Sequence, residues 1–135
     1  MKNITVIGSG TMGSGITHCF AQFGFQVTLM DISEEALGRA EQSIAKNFDR
    51  QIKRGRLTKE DKSESMARIA TLTSLEEAVQ HADLVIEAAS ENKAVKATLF
   101  KQMDAHAPKE CVLGTNTSSL SITELAAQTK RPSQV

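Results

Sequence analysis

Residues Ile4 to Ile16 read ITVIGSGTMGSGI. A β-branched run, Ile4-Thr5-Val6-Ile7, meets a cluster of glycines, and from Met12 the apolar positions fall at Met12, Ile16, Cys19, Phe20 and Phe23. The first run suits a strand, and the second spacing suits one face of a helix. Strand, glycine turn and helix therefore follow in immediate succession. Gly8-Ser9-Gly10-Thr11-Met12-Gly13 fits G-x-G-x-x-G, a pattern that carries weight only in this context. Gly8 permits the tight turn, Gly10 lets the backbone approach a pyrophosphate with no Cβ in the way, and Gly13 lets the helix pack closely on the sheet. Thr11 and Met12 open the helix, where unpaired amides and the positive dipole end hold phosphate.

Working outward, Gly24 is placed to close that helix in a left-handed cap, and Phe25 to Met30 reads as a second strand ending on Asp31. Asp31 lies about twenty residues beyond the glycines, where a dinucleotide fold places its ribose-binding acid. Its carboxylate suits the two ribose hydroxyls of NAD. It repels the additional phosphate of NADP, and Ile32 and Ser33 supply no arginine to compensate. A glycine turn beside an N-capping aspartate is the competing reading, and the joint pattern selects an NAD cradle.

The alternation continues along the chain. A long helix is expected from the N-cap Ser33, with Leu37, Ala40, Ile44, Phe48 and Ile52 on its buried face and Gly55 at its end. Thr58 with Asp61 opens a short exposed helix reaching about Ala67, after the charged stretch KRGRLTKEDK. Ile69 to Leu72 is a weak third strand, Ser74 with Glu77 forms a capping box, and Leu84-Val85-Ile86 makes a fourth strand. A helix with Val95, Leu99 and Met103 in register stops before Pro108, and Cys111-Val112-Leu113 supplies a fifth strand. Ser121 and Glu124 cap a last helix to about Gln128, with Leu120 and Leu125 as its hydrophobic staple, and RPSQV reads as the approach to a sixth strand. Strands alternating with helices require crossovers, so the fold class is α/β: a Rossmann-type doubly wound parallel sheet with helices on both faces.

Bulk properties exclude several functions. With 135 residues the chain suits one domain, and with 16 Lys+Arg against 16 Asp+Glu its formal net charge is zero. No global field draws it to nucleic acid or an anionic membrane, and the absence of Trp and Tyr argues against base stacking. The N-terminus lacks the pattern of a signal peptide and no segment approaches a membrane span, which points to a cytoplasmic protein. Cys19 and Cys111 read as small core residues, and with scattered His18, His81 and His106 they form no metal-ligand spacing.

Beyond the dinucleotide signature, the segments VIGSGTMGSGI, DISEEAL, ADLVIEA followed by SEN, TNTSSLSITELA and KRPSQV resemble the L-3-hydroxyacyl-CoA dehydrogenases, in particular the bacterial 3-hydroxybutyryl-CoA dehydrogenases. The resemblance covers the whole chain. It implies reversible oxidation of a 3-hydroxyacyl-CoA to a 3-ketoacyl-CoA with hydride passing to NAD, in fatty-acid or butanoate metabolism. By the same resemblance Glu91 and Lys96, with Asn116, contact the nicotinamide side of the cofactor, and Asn116 and Ser118 face the substrate. A loop after the fifth strand sits at the carboxyl edge of the sheet, where open α/β sheets bind ligands. Amide and hydroxyl groups there suit the orientation of a reacting oxygen. From residue chemistry alone, Glu91 and Asn92 equally cap the next helix, and Thr115 to Ser119 equally form a polar loop.

The family also places the long helix against the CoA nucleotide, at positions matched by Asn47 and Arg54. This sequence departs there from the commoner serine and lysine. Solvated charge at a helix C-terminus is the alternative reading of Arg50, Lys53, Arg54 and Arg56. The family's general-base histidine belongs to an I-G-x-H-F-x-N-P motif expected after Val135, so the sequence reads as residues 1–135 of an NAD-binding domain, incomplete at its C-terminus and inactive alone. A C-terminal helical domain is expected to complete the enzyme, which is a homodimer at full length. Two other readings stay open: a dehydrogenase of a hydroxy acid without CoA, as in relatives resembling lambda-crystallin, and a stand-alone NAD-binding module.

Overall fold

The computed structural model describes residues 1–89, 92–116 and 121–135. Its elements run β1 (Asn3–Ile7), α1 (Thr11–Gln22), β2 (Gln26–Met30), α2 (Glu34–Lys53), α3 (Lys59–Ala67), β3 (Ile69–Leu72), α4 (Leu75–Val79), β4 (Leu84–Glu87), α5 (Lys93–His106), β5 (Val112–Thr115) and α6 (Ile122–Ala126). The strands form one sheet in the order β3-β2-β1-β4-β5, and every neighbouring pair is parallel. The order reverses between β1 and β4, so the carboxyl ends of those two strands bound the crevice in which such sheets take ligands. This is the doubly wound architecture expected from the alternation of elements.

Each face of the sheet carries its own core. Ile4, Val6, Val27 and Leu29 pack with Ala21, Leu37 and Ala40 under α1 and α2. On the other face Ile7, Met30, Val85 and Leu113 pack with Val79, Phe100, Met103 and Leu125 of α4, α5 and α6. Helix α2 buries Leu37, Ala40, Ile44 and Phe48, four of the five positions its spacing predicts, and Ser33 caps it through the Ala36 N–H. Helix α3 is fixed by a complete capping box between Thr58 and Asp61. Ser74 and Ser121 each accept one N–H at the starts of α4 and α6.

Several expectations are corrected. The stripe expected to bury α1 is buried only in part: Ile16 and Phe20 pack against the core, whereas Met12 is 55% exposed, Phe23 73% exposed, and Cys19 is exposed and not a core residue. The contact face is instead Gly13, Ser14, Thr17 and Ala21. The cause is the close approach of α1 to the glycine turn and sheet, which only small side chains allow. Ile16, Phe20 and Phe25 flank that contact and line an open apolar groove with Cys19, Phe23 and Ile86. On α5 Met103 is buried and Leu99 packs against the core as the spacing predicts, but Val95 is 45% exposed and Lys96 and Phe100 complete the buried face.

The last helix ends at Ala126, within two residues of the expected end, and Pro132–Gln134 forms a 3-10 turn. Arg131 accounts for this turn's position. Its guanidinium pairs with Asp104 at 2.7 Å and donates to the carbonyls of Asp104, Ala107, Pro108 and Cys111, so the segment is tied to the end of α5. Among the described residues no helix is long and apolar enough to cross a membrane.

Candidate functional site: a nucleotide cradle at the carboxyl edge of the sheet

The turn after β1 is built to lie against the turn after β4. Gly8 has φ +101°, and a Cβ there would stand 2.7 Å from the Ala89 Cα and 2.8 Å from the Ala88 carbonyl oxygen. No L side chain fits both that backbone and that gap. A Cβ on Gly13 would stand 1.8 Å from the Gly8 carbonyl oxygen, so the first turn of α1 closes directly over the loop. Gly10 differs from both, because its Cβ would meet nothing within 4 Å. Two glycines are thus required by the protein's own packing, whereas the third leaves open space above the start of a helix. That open space is what a pyrophosphate requires.

Asp31, at the end of β2, is held by the same turn. Ser9 donates to its Oδ2 through Oγ at 2.7 Å and through the backbone N–H at 3.0 Å, and the Ser33 N–H donates to Oδ1 at 3.1 Å. Partial burial disfavours the charged carboxylate, but the hydrogen bonds from Ser9, Ser33 and Ile32 outweigh it and hold Asp31 below the ordinary carboxylate range. It stays ionised at neutral pH. Ser9, Gly10, Thr11, Ser14 and Asp31 line one side of an open cavity of about 360 Å³, and Ala36, Arg39, Ala40 and Ser43 of α2 line the other. The small residues of α2 make the room, and Asp31 sets the charge.

A second polar centre lies behind the cradle. Glu87 ends β4 and Lys96 sits in α5; their side chains are 0% and 1% exposed and form an ion pair. Glu87 also accepts from Thr115 Oγ1 at 2.9 Å and from the Ala89 N–H at 2.7 Å. Three segments therefore meet on one carboxylate: the β4 turn, α5 and the end of β5. Asn116 follows directly, half-buried, with its backbone N–H donating to the Glu87 carbonyl oxygen at 2.9 Å.

The structure thus brings Gly8, Gly10, Thr11, Gly13 and Asp31 together, and sets Lys96 and Asn116 around Glu87 on the same edge of the sheet. Met12 projects from α1 into solvent and does not line this cavity. Asn47 and Arg54 lie farther along α2; the Asn47 Oδ1 accepts from Arg50 at 2.8 Å, and Arg54 is exposed at the helix end. Arg54 is about 16 Å from Ser43 along the helix axis, at a rise of about 1.5 Å per residue. Glu91, Ser118 and the staple residue Leu120 lie outside the described residues.

Ser9, Arg39, Glu87 and Thr115 are the site residues that sequence reasoning missed. The acid closing the apolar run Leu84-Val85-Ile86-Glu87 was the available signal, since a carboxylate at the end of a buried strand needs a partner. Ser9 occupies a variable position of the glycine pattern and gives none.

A parallel sheet reversing between β1 and β4, a glycine turn with open space at its centre and a carboxylate fixed against it define a dinucleotide-binding domain. Comparison with known proteins narrows the class. Residues 3–135 match the family described as 3-hydroxyacyl-CoA dehydrogenase, NAD binding domain, and the chain belongs to that family. NAD is its cofactor.

Among its relatives, the chain is 46% identical over 135 residues to the 3-hydroxyadipyl-CoA dehydrogenase of Escherichia coli K12, covering 100% of this chain and 28% of that protein. It is 39% identical over 132 residues to the 3-hydroxybutyryl-CoA dehydrogenase of Clostridioides difficile, covering 98% of this chain and 47% of that protein. The crystal structure of (S)-3-hydroxybutyryl-CoA dehydrogenase from Ralstonia eutropha superposes with a TM-score of 0.96 at 39% identity, over 99% of this chain and 47% of that one. The chain therefore spans less than half the length of each of these relatives.

Proposed function

We propose that the protein carrying this domain interconverts 3-hydroxyacyl-CoA, with 3-hydroxybutyryl-CoA the foremost substrate, and 3-ketoacyl-CoA, in fatty-acid or butanoate metabolism. The observation that carries this reading is Asp31 fixed by Ser9 on the wall of a cavity whose floor is the open Gly10 turn, in a chain of this family. Bound NAD would supply the hydride acceptor. Gly8, Gly10, Thr11 and Gly13 form the pyrophosphate turn, to which Met12 contributes its backbone N–H and not its side chain, and Asp31 receives the adenosine ribose. Glu91, Lys96 and Asn116 serve the nicotinamide end, with the Glu87 carboxylate fixing Lys96 and the strand end before Asn116. Asn116 and Ser118 orient the reacting oxygen, and Asn47 with Arg54 receives the CoA nucleotide, for which a guanidinium suits phosphate.

In this reading a C-terminal helical domain and the histidine of the I-G-x-H-F-x-N-P motif complete the catalytic site, and the enzyme is a cytoplasmic homodimer. The relatives' greater length supports that division of labour. The test is NADH oxidation by the whole protein with acetoacetyl-CoA and with acetoacetate. Preference for the CoA ester, with Arg54→Ala raising its KM and leaving acetoacetate unaffected, is the expected result. Equal use of both compounds would remove the CoA assignment.

A further inference from the structure

The cavity beside Asp31 carries a second charge. Arg39 lines the wall formed by α2, on the face that also presents Ala36, Ala40 and Ser43. It is exposed, and among the described residues its guanidinium has neither a hydrogen-bond nor an ion-pair partner. Sequence alone suggests that no arginine compensates Asp31, because the residues directly after it are Ile32 and Ser33. The helix brings one back: Arg39 lies in the second turn of α2 and lines the same cavity as Asp31.

We propose that Arg39 is a second determinant of cofactor selectivity, a cation poised to receive a ribose 2′-phosphate, so that Asp31 alone holds the site to NAD. The inference rests on the reading of this cavity as the adenosine end of the NAD site. A carboxylate held by Ser9 accepts hydroxyls and repels a phosphate dianion, whereas a guanidinium binds phosphate through two parallel N–H donors. With both on one cavity wall-to-wall, the native preference is the difference of two opposed effects. Removing the acid leaves a site of the opposite preference, and removing the cation sharpens the native one.

The experiment is a set of fluorescence titrations of NADH and of NADPH into four purified proteins: wild type, Arg39→Gln, Asp31→Ser and the double variant. Circular dichroism checks the fold of each. Arg39→Gln is expected to weaken NADPH by about 10-fold, the effect of one lost charge-assisted hydrogen bond, and to weaken NADH by a clearly smaller factor. Asp31→Ser is expected to bind NADPH at least as tightly as NADH, and the double variant to lose that gain. Since Arg39 supports no other residue, its single variant decides the matter even if Asp31→Ser does not fold. Equal effects of Arg39→Gln on the two cofactors, or none on either, overturns the proposal while leaving NAD binding intact. Failure of wild type to bind NADH overturns the cavity reading and the inference with it.

Discussion

Lys96→Met is the most informative single substitution in the core. It keeps most of the side chain's stem and volume but removes the ammonium that faces Glu87, leaving a carboxylate at 0% exposure that still accepts from the Thr115 hydroxyl and the Ala89 N–H but has lost its ion-pair partner. Removing one partner of a buried ion pair typically costs about 3–5 kcal/mol, because the other charge remains without compensation. A domain of this size has about 5–15 kcal/mol of stability in total, and each kcal/mol moves its melting temperature by about 3–5 °C. A fall of about 10–20 °C is therefore expected in a thermal melt followed by far-ultraviolet circular dichroism. Glu87→Gln combined with Lys96→Met removes both charges and keeps an amide for Thr115 and Ala89. The double variant is expected to be more stable than the sum of the single losses by at least about 1 kcal/mol. A Lys96→Met loss under about 1 kcal/mol, or strict additivity, would refute the claim that this pair ties the β4 turn, α5 and the end of β5 together.

Three further outcomes follow from the same geometry. Gly8→Ala, with φ +101° and backbone atoms 2.7–2.8 Å from the new Cβ, is expected to lose at least about 1–3 kcal/mol in urea unfolding, whereas Gly10→Ala, with nothing within 4 Å, should unfold near the wild-type midpoint yet bind NADH at least about 10-fold more weakly. Asp31 holds its proton less readily in the folded than in the unfolded chain, so its contribution to stability is complete above about pH 3.9 and is lost as pH falls through its lower folded-state value; an acid titration of Asp31→Asn should show a shallower loss in that window. Thr58→Ala removes the side chain that caps α3 and is expected to cost about 1 kcal/mol by denaturant melting, with NADH affinity unchanged.

What was legible in the sequence is what local physics writes there. The glycine turn, Asp31, the caps at Ser33 and Thr58 and the stripe Leu37-Ala40-Ile44-Phe48 are short-range signals, and the structure follows each of them. Periodicity failed where contact distance overrode hydrophobicity. Helix α1 lies so near the glycine turn that Gly13, Ser14, Thr17 and Ala21 meet the sheet, and its larger apolar residues lie beside that contact. The burial of Lys96 left no periodic signal either, because it depends on the carboxylate of Glu87, nine positions earlier in the sequence. Arg39 was passed over for a similar reason. Its relevance to Asp31 depends on how α2 leans over the cavity, which no neighbouring residue reports.

The central claim is that the turn from Gly8 to Gly13 and Asp31 form a ready cradle for NAD. Titrating NADH and NADPH separately and following nicotinamide fluorescence tests it directly, since the chain contains no tryptophan to interfere. Saturable binding of NADH, tighter than that of NADPH and weakened at least about 10-fold by Gly10→Ala without loss of fold, is the expected result. A folded protein that binds neither, or that binds NADPH more tightly than NADH with Asp31 in place, would contradict it.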